Sequence, residues 1–296
     1  MVQHVAWNLP PDHEIILFGD THEGCILKHK KGVRDVVKYI KNTENCFAVH
    51  MGDIVESIAI DDIRYDRKTI DPGSPTPLKQ YLNARDELEP IKDKLLVILE
   101  GNHDWKVERK HGDFLREIVC EPLGVPYGTF DCWLTAVPGK KPAWRYCKKG
   151  DKNNVKYNFF LTHGVGTAKS TAKDPILRLG NRMAAAKWKL HEHASDCVLM
   201  AQGHTHRLMV VKPTKTLGMK CVDGQIIQEY YTTSDSLEKI DKDHRWYLHC
   251  GSFLKKYGPM GVSGYAERMG LPPAELGFVR VIIKNYKVQD CQEVRV

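Results

Sequence analysis

The sequence predicts an α/β fold, and two observations predict it. Short apolar runs alternate with amphipathic segments along most of the chain. Several of those runs stop abruptly at clusters of Gly, Asp, Asn and His, as buried strands do when they reach a functional edge. With 296 residues the chain can bury a full core, as one large domain or two modest ones. No linker-like segment divides it, so a single domain over residues 1–296 is expected.

Residues 15–18 read as a short buried strand running into Gly19-Asp20. Val33, Val36, Val37 and Ile40 then fall at i, i+3, i+4 and i+7, one face of a helix. Residues 46–51 form a second predicted strand, ending at Gly52-Asp53. Three prolines and a glycine make residues 64–77 a loop. Leu78, Leu82, Leu88 and Ile91 predict a helix that ends or kinks near Pro90. Residues 95–99 give a third buried strand, stopping at Glu100-Gly101-Asn102-His103-Asp104. Residues 143–148 and 155–161 predict a hairpin turning on Gly150, Asp151, Asn153 and Asn154, its second strand delivering His163. A helix is expected over 174–195, with Asp174 as N-cap and Pro175 in first position. Residues 197–201 form another strand and feed Gly203-His204-Thr205-His206. The β-rich runs at 208–211, 225–232, 246–253 and 278–283 are expected to make residues 207–296 the completion of a second sheet.

Composition excludes several classes. A hydrophobic fraction of 42% and a charged fraction of 27% are those of an ordinary globular chain. No apolar run approaches the ~18 residues of a membrane span, so no membrane role is expected. The first ten residues lack a basic stretch followed by an apolar one, so no secretory signal is expected. Nine scattered cysteines with no C-x-x-C pair point to reduced thiols in the cytoplasm, and none reads as a zinc ligand. The +7 balance of Lys and Arg over Asp and Glu favours polyanionic partners only slightly.

Chemistry concentrates at the strand ends. Asp20 and His22 follow the first strand, Asp53 the second, and Asn102, His103 and Asp104 the third; His163, then His204 and His206, end two more. Carboxylate, amide oxygen and imidazole suit Mn²⁺, Fe and Zn²⁺. One carboxylate can bridge two cations ~3.5–4 Å apart in a hydrolytic centre. Any one histidine at a strand end is more often a hydrogen-bonded loop residue than a ligand. Joint chance occurrence of the whole set is a far weaker explanation. His50 reads as a satisfied neighbour of this edge, His191 and His193 as solvated helix residues, and His249 more often as packing than as part of the site.

The strings DTH at 20–22, GDIVE at 52–56, GNHD at 101–104, THG at 162–164 and GHTH at 203–206 resemble, in order, the motifs of the calcineurin-like metallophosphoesterase superfamily. The resemblance spans about two thirds of the chain. It implies a four-layer α/β/β/α sandwich of two mixed sheets flanked by helices, with a metal site at the strand C-terminal ends. It implies that Asp20, His22 and His206 hold one divalent ion and that Asn102, His163 and His204 hold a second, with Asp53 as the bridge. Mn²⁺ is expected first, with Fe, Zn²⁺ or Ni²⁺ as alternatives. A hydroxide held between the cations would attack the phosphorus, His103 would protonate the leaving-group oxygen, and Asp104 would orient or polarise His103.

The pattern also departs from its relatives. The protein serine/threonine phosphatases of this superfamily carry an Arg-Gly pair after the second motif and GNHE in the third, whereas this chain has GDIVES and GNHD. The first motif and GNHD lean toward the DNA-repair exonuclease branch, although Glu56 stands where that branch carries Asp, Phe or His. The expected substrate is therefore a phosphodiester, with nucleic acid or a nucleotide as partner. A phosphomonoesterase acting on nucleotides or small phosphates is the alternative, and a non-catalytic scaffold is a third reading that the intact ligand set disfavours. Arg64, Arg67, Trp105, Lys169 and Arg207 are candidate substrate-binding residues, Trp105 by stacking.

Overall fold

In a computed structural model, which describes residues 2–58, 65–139, 141–149, 154–166, 169–231, 239–258 and 265–296, the apolar runs become the middle of two sheets. The first half contains β1 (Gln3–Leu9), β2 (His13–Phe18), α1 (Lys30–Asn42), β3 (Cys46–His50), α2 (Pro77–Leu88), β4 (Leu95–Ile98), α3 (Asn102–His111) and a short α4 (Glu121–Leu123). Then come β5 (Asp131–Pro138), β6 (Ala143–Tyr146), β7 (Tyr157–Thr162), α5 (Pro175–Leu190), β8 (Leu199–Gln202) and β9 (Leu208–Val211). The remainder holds β10 (Thr216–Val222), β11 (Gln225–Tyr231), β12 (Trp246–Cys250), α6 (Tyr265–Arg268), β13 (Gly277–Lys284) and β14 (Lys287–Arg295).

One sheet has seven strands in the order β6-β1-β5-β7-β8-β12-β9, and the other has five, β14-β13-β2-β3-β4. Both are mixed: β2, β3 and β4 are mutually parallel, as are β7, β8 and β12, while β13, β14, β9 and β6 pair antiparallel. The period-2 alternation of side chains explains why the central strands read as unbroken apolar runs. Ile15 and Leu17 of β2 and Phe47 and Val49 of β3 face the opposite sheet, where they meet Phe159 and Leu161 of β7 and Leu199 and Ala201 of β8. The intervening Ile16, Phe18 and Ala48 pack instead under α1 and α2, against Val33, Val36, Ile40, Tyr81 and Leu88. On the far face Phe160 and Met200 meet Leu190 at the end of α5. The layers are thus α/β/β/α, as expected. Each fully buried Val, Leu, Ile or Phe stabilises the stack by about 1.5–3 kcal/mol.

Helix signals held closely. α1 buries Val33, Val36, Val37 and Ile40. Thr76 caps α2 by accepting from the Lys79 amide with Pro77 following, and Asp174 does the same for α5 through Leu177. α5 stops at Leu190 rather than continuing to residue 195.

Two expectations are corrected. The predicted hairpin does not form: Ala143–Tyr146 pairs with β1 at the sheet edge, while Tyr157–Thr162 lies between β5 and β8. Of its predicted turn, Gly150, Asp151 and Asn153 lie outside the described residues. Sequence neighbourhood suggests the pairing, but β1 and β5, absent from the predicted strands, supply the true partners. Their period-2 patterns, Val5-Trp7-Leu9 and Cys132-Leu134-Ala136, were the available signal. The C-terminal strands also do not build one sheet. β9 and β12 join the seven-stranded sheet, β13 and β14 the five-stranded one, and β10 with β11 forms a separate two-stranded ribbon.

Candidate metal centre

The strands that carry the predicted ligands end close together. β2, β3 and β4 of one sheet deliver Asp20, His22, Asp53 and Asn102, and β7 and β8 of the other deliver His163, His204 and His206. Asp20, His22, Asp53, His204 and His206 have φ of 49°, 47°, 50°, 60° and 51°. Left-handed backbone is uncommon outside glycine, although Asp and His tolerate it better than most residues. It lets the chain turn sharply within a residue or two of each strand end. The turns are tied together by main-chain bonds: Asp20 donates to Gly52 O at 2.9 Å, His22 to Asp53 O at 3.1 Å and Glu23 to Ile54 O at 2.9 Å.

Each buried aspartate spends one oxygen on the backbone and keeps one for the site. Asp20 Oδ2 accepts from the His204 amide at 3.0 Å and Asp53 Oδ1 from the His103 amide at 2.8 Å. Asp20 Oδ1 then stands 3.1 Å from His206 Nε2, within ion-pair range but without hydrogen-bond alignment. Asp53 Oδ2 lies 3.3 Å from His163 Nε2, and His22 Nε2 is 3.9 Å from both carboxylates. Ligand atoms about 2.1 Å from a cation are about 3 to 3.4 Å apart at octahedral or tetrahedral angles. Asp20 Oδ1, His22 Nε2 and His206 Nδ1 are buried polar atoms without hydrogen-bond partners. A buried orphan costs about 1–3 kcal/mol unless something else satisfies it, so the donor set fits cations.

The histidines are oriented from behind. His163 Nδ1 donates to Met51 O at 2.8 Å and His22 Nδ1 to Glu56 Oε2 at 2.6 Å, which leaves each Nε2 lone pair for the site. Asn102 turns its amide oxygen toward His163 Nε2 at 3.1 Å. An acceptor facing a lone pair is a poor hydrogen bond and a good half-shell for a cation. Three groups of ligand atoms converge: Asp20 with His22 and His206, Asp53 with His163 and His204, and His22 with Asp53 and His103. Asp53 and His22 each belong to two of them. His103 Nδ1 is held by Glu56 O at 2.5 Å. Asp104, expected to orient His103, accepts from the amides of Gly101 and Ile54 and from the Tyr81 hydroxyl.

Electrostatics agree with this arrangement. Burial opposes a charged imidazole at His22, but Glu56, Asp53 and Asp20 outweigh it and raise its pKa to about 9. His163 is likewise raised to about 9 against burial, chiefly by Asp53. Burial would push Asp53 up, yet His163, His103 and His22 hold it well below the usual carboxylate range. His204, by contrast, is lowered to about 4 by burial and by His163. The carboxylates stay ionised and demand positive charge, which divalent cations would supply in place of protons.

The family profile described as Calcineurin-like phosphoesterase matches residues 13–208, about two thirds of the chain. This chain belongs to the calcineurin-like phosphoesterase family. It is a hydrolase acting on phosphate esters, with candidate dinuclear metal-binding residues. No curated protein matches it. Among solved structures it is similar to GAP50, the anchor in the inner membrane complex of Plasmodium, at 12% identity and a TM-score of 0.37, covering 96% of this chain and 89% of that one. It is similar to Pseudomonas putida nuclease MPE at 12% identity and a TM-score of 0.31, covering 95% and 87%. Chaetomium thermophilum Vps29 matches at 10% identity and a TM-score of 0.31, covering 96% of each. Likenesses this distant carry no functional argument. No helix among the described residues is long and apolar enough to cross a membrane.

Around the candidate metal ligands of this phosphoesterase lies a cleft of about 220 Å³, with Leu27, Ile58, Leu254, Lys255, Lys256 and Leu271 in its walls. Of the predicted substrate-binding residues, Trp105 lines a second, adjoining cavity. Arg67 and Lys169 are exposed and line neither space, and Arg207 pairs with Glu275 at 3.3 Å. Arg64 lies outside the described residues. His50 is a satisfied neighbour, bonded to Thr21 Oγ1 and to the Gly52 amide. His249 is buried against Thr205 and takes no place among the converging ligands. Lys255 and Lys256 were missed, because they lie about fifty residues past the last motif and only the fold returns them to the cleft. Glu56 stands out in the sequence only as a departure from relatives, because its bond to His22, 34 positions away, is a tertiary contact.

Proposed function

We propose that this enzyme hydrolyses a phosphodiester in a nucleotide or nucleic acid, using His103 as general acid. The observation that supports a diester is room beyond the ligand cluster: the cleft, with Leu27, Leu254 and Leu271 in its walls, adjoins a larger cavity at Glu56 and Ile58. Asp20, His22, His206 and Asp53 would hold one divalent ion and Asp53, Asn102, His163 and His204 the other, with Mn²⁺ the first candidate and Fe, Zn²⁺ or Ni²⁺ the alternatives. Bound there, the ions would supply the acidity that makes water nucleophilic near neutral pH and would neutralise phosphoryl charge.

The chain's own residues do the rest. Glu56 O holds His103 Nδ1, so the remaining ring nitrogen is the one placed to give a proton to the departing oxygen. Lys256, half-buried beside Asp20, offers a cation to a non-bridging phosphoryl oxygen in place of the arginine absent after the second motif. Each sheet contains strands from both halves of the chain, which supports a single domain over 1–296. Nine free cysteines support a reducing compartment such as the cytoplasm.

The test is to strip the metal, restore Mn²⁺ and compare bis(p-nitrophenyl) phosphate with p-nitrophenyl phosphate. Faster cleavage of the diester is expected. Faster cleavage of the monoester would replace this reading with a phosphomonoesterase.

A further inference from the structure

The cleft is only part of the open space on this face. A cavity of about 660 Å³ adjoins it, and Glu56, Ile58 and Thr69 form the wall common to both. Its far side is α3, the helix whose first residues, Asn102 and His103, stand in the cleft. Further along the same helix, Trp105 and Arg109, and Lys106 and Lys110, face this cavity as two i, i+4 pairs. From His103 to Arg109 the helix advances about 9 Å, at 1.5 Å per residue. Anything bonded to a phosphate beside His103 therefore reaches this wall within the length of about one nucleotide.

The lining is unusual for packing and apt for a ligand. Trp105 is 45% exposed although it sits two residues from His103, and the Arg109 guanidinium lies 4.9 Å from its ring centroid. The opposite wall brings Tyr65 and the apolar Ile70 and Pro77. Asp66, which also lines the cavity, pairs with Arg268 and accepts from the Lys68 amide. A flat aromatic flanked by cations recognises a base and its phosphate; it does not require any particular base, because each has a π-face.

We propose that this cavity is the leaving-group subsite and that it takes a nucleotide, its base stacked on Trp105 and its next phosphate held by Lys106 and Lys110. This rests on the phosphodiester reading above and extends it to the substrate class. In the reaction the oxygen of water bonds to phosphorus as the bond from phosphorus to the leaving nucleotide's oxygen breaks. His103 gives that oxygen a proton and regains one from the proton lost by water. The products are a phosphomonoester on one side and a free hydroxyl on the nucleotide in the cavity.

The experiment uses the Mn²⁺-loaded full chain, with Trp105→Ala, Trp105→Phe and the double variant Lys106→Glu, Lys110→Glu. Two substrates are compared, a labelled oligothymidylate and bis(p-nitrophenyl) phosphate, whose leaving group carries no nucleotide. Trp105→Ala should lower the ratio of kcat/KM for oligothymidylate to that for the small diester about tenfold, with Trp105→Phe largely restoring it. The charge reversals should lower the same ratio and flatten its salt dependence. A ratio unchanged in Trp105→Ala overturns the subsite, even though both diesters are still cleaved. Binding is read separately by fluorescence anisotropy of the oligothymidylate on a His103→Ala background. If wild type cleaves neither diester, the phosphodiester reading falls by itself. Anisotropy then decides the cavity: binding weakened by Trp105→Ala upholds nucleotide recognition there, and unchanged binding overturns it.

Discussion

Four residues of the centre are used at two ends. Asp20 and Asp53 fasten a neighbouring loop with one oxygen and keep the other for the site, and His22 and His163 fasten one ring nitrogen and keep the other. On the proposed roles these four hold metal, whereas His103, held at Nδ1 by Glu56 O, moves a proton. His103→Ala should retain both metal equivalents by elemental analysis while kcat for diesters with poor leaving groups falls about 10²–10⁴-fold. Loss of metal from that variant would make His103 a ligand, in keeping with its closeness to His22 and Asp53. Glu56 acts one step further back, through His22. Glu56→Gln keeps the shape and removes the charge, so metal affinity should weaken about 10–100-fold in a competitive chelator titration. Unaltered affinity would reduce Glu56 to a wall of the cleft.

At the scale of elements, the loops matter more than the strands. The strand cores need only apolar residues of about the right size, but the turns after them need particular backbones packed tightly on one another. A Cβ added at Gly101 would lie 2.1 Å from the Asp53 nitrogen, and one at Gly52 would lie 2.6 Å from His163 Nδ1, at a φ of +93°. Gly101→Ala must therefore move the second-motif loop or the start of α3. Destabilisation of about 3 kcal/mol or more is expected in urea unfolding, with loss of bound metal. A variant of wild-type stability that still holds two metals would mean that these loops yield more easily than their packing implies. Local signals located the turns well, since each Gly-Asp or Gly-His cluster lies where a strand stops. They located partners poorly: β1 and β5 decide where β6 and β7 lie, and their short alternating patterns were not distinctive enough to be recognised.

At the scale of the whole molecule, buried polar groups make the two-sheet core sensitive to acid. His13 on β2 is bonded to Tyr157 OH of the facing sheet at 2.6 Å, which places it at the junction of the two sheets. Burial lowers its pKa from the ordinary 6.5 to about 4, against the Pro10 carbonyl and Asp12, which favour the charged form. Between those values the unfolded chain binds a proton that the folded one does not. The contribution of His13 should thus be full above pH 6.5 and be lost as pH drops toward 4. His13→Gln, which cannot titrate, should flatten the dependence of Tm on pH over that interval. An unchanged slope would place the acid sensitivity elsewhere. The division of the C-terminal strands is also a property of the whole. β13 pairs with β2 and β12 with β8, so each sheet closes only when distant parts of the chain have met.

The sequence by itself determined the fold class, the positions of the main buried strands and the identity of the residues that converge at their ends. These properties are local: apolar runs buried on both faces, helical periodicity, and the few residue types that suit both a left-handed turn and a cation. Only the tertiary structure decided which strands pair, that Glu56 stands behind His22, that Lys255 and Lys256 return to the cleft, and that Trp105 opens onto a second cavity. Those depend on contacts between residues tens to hundreds of positions apart. Such contacts arise from the packing of one sheet against the other, and no local pattern encodes them.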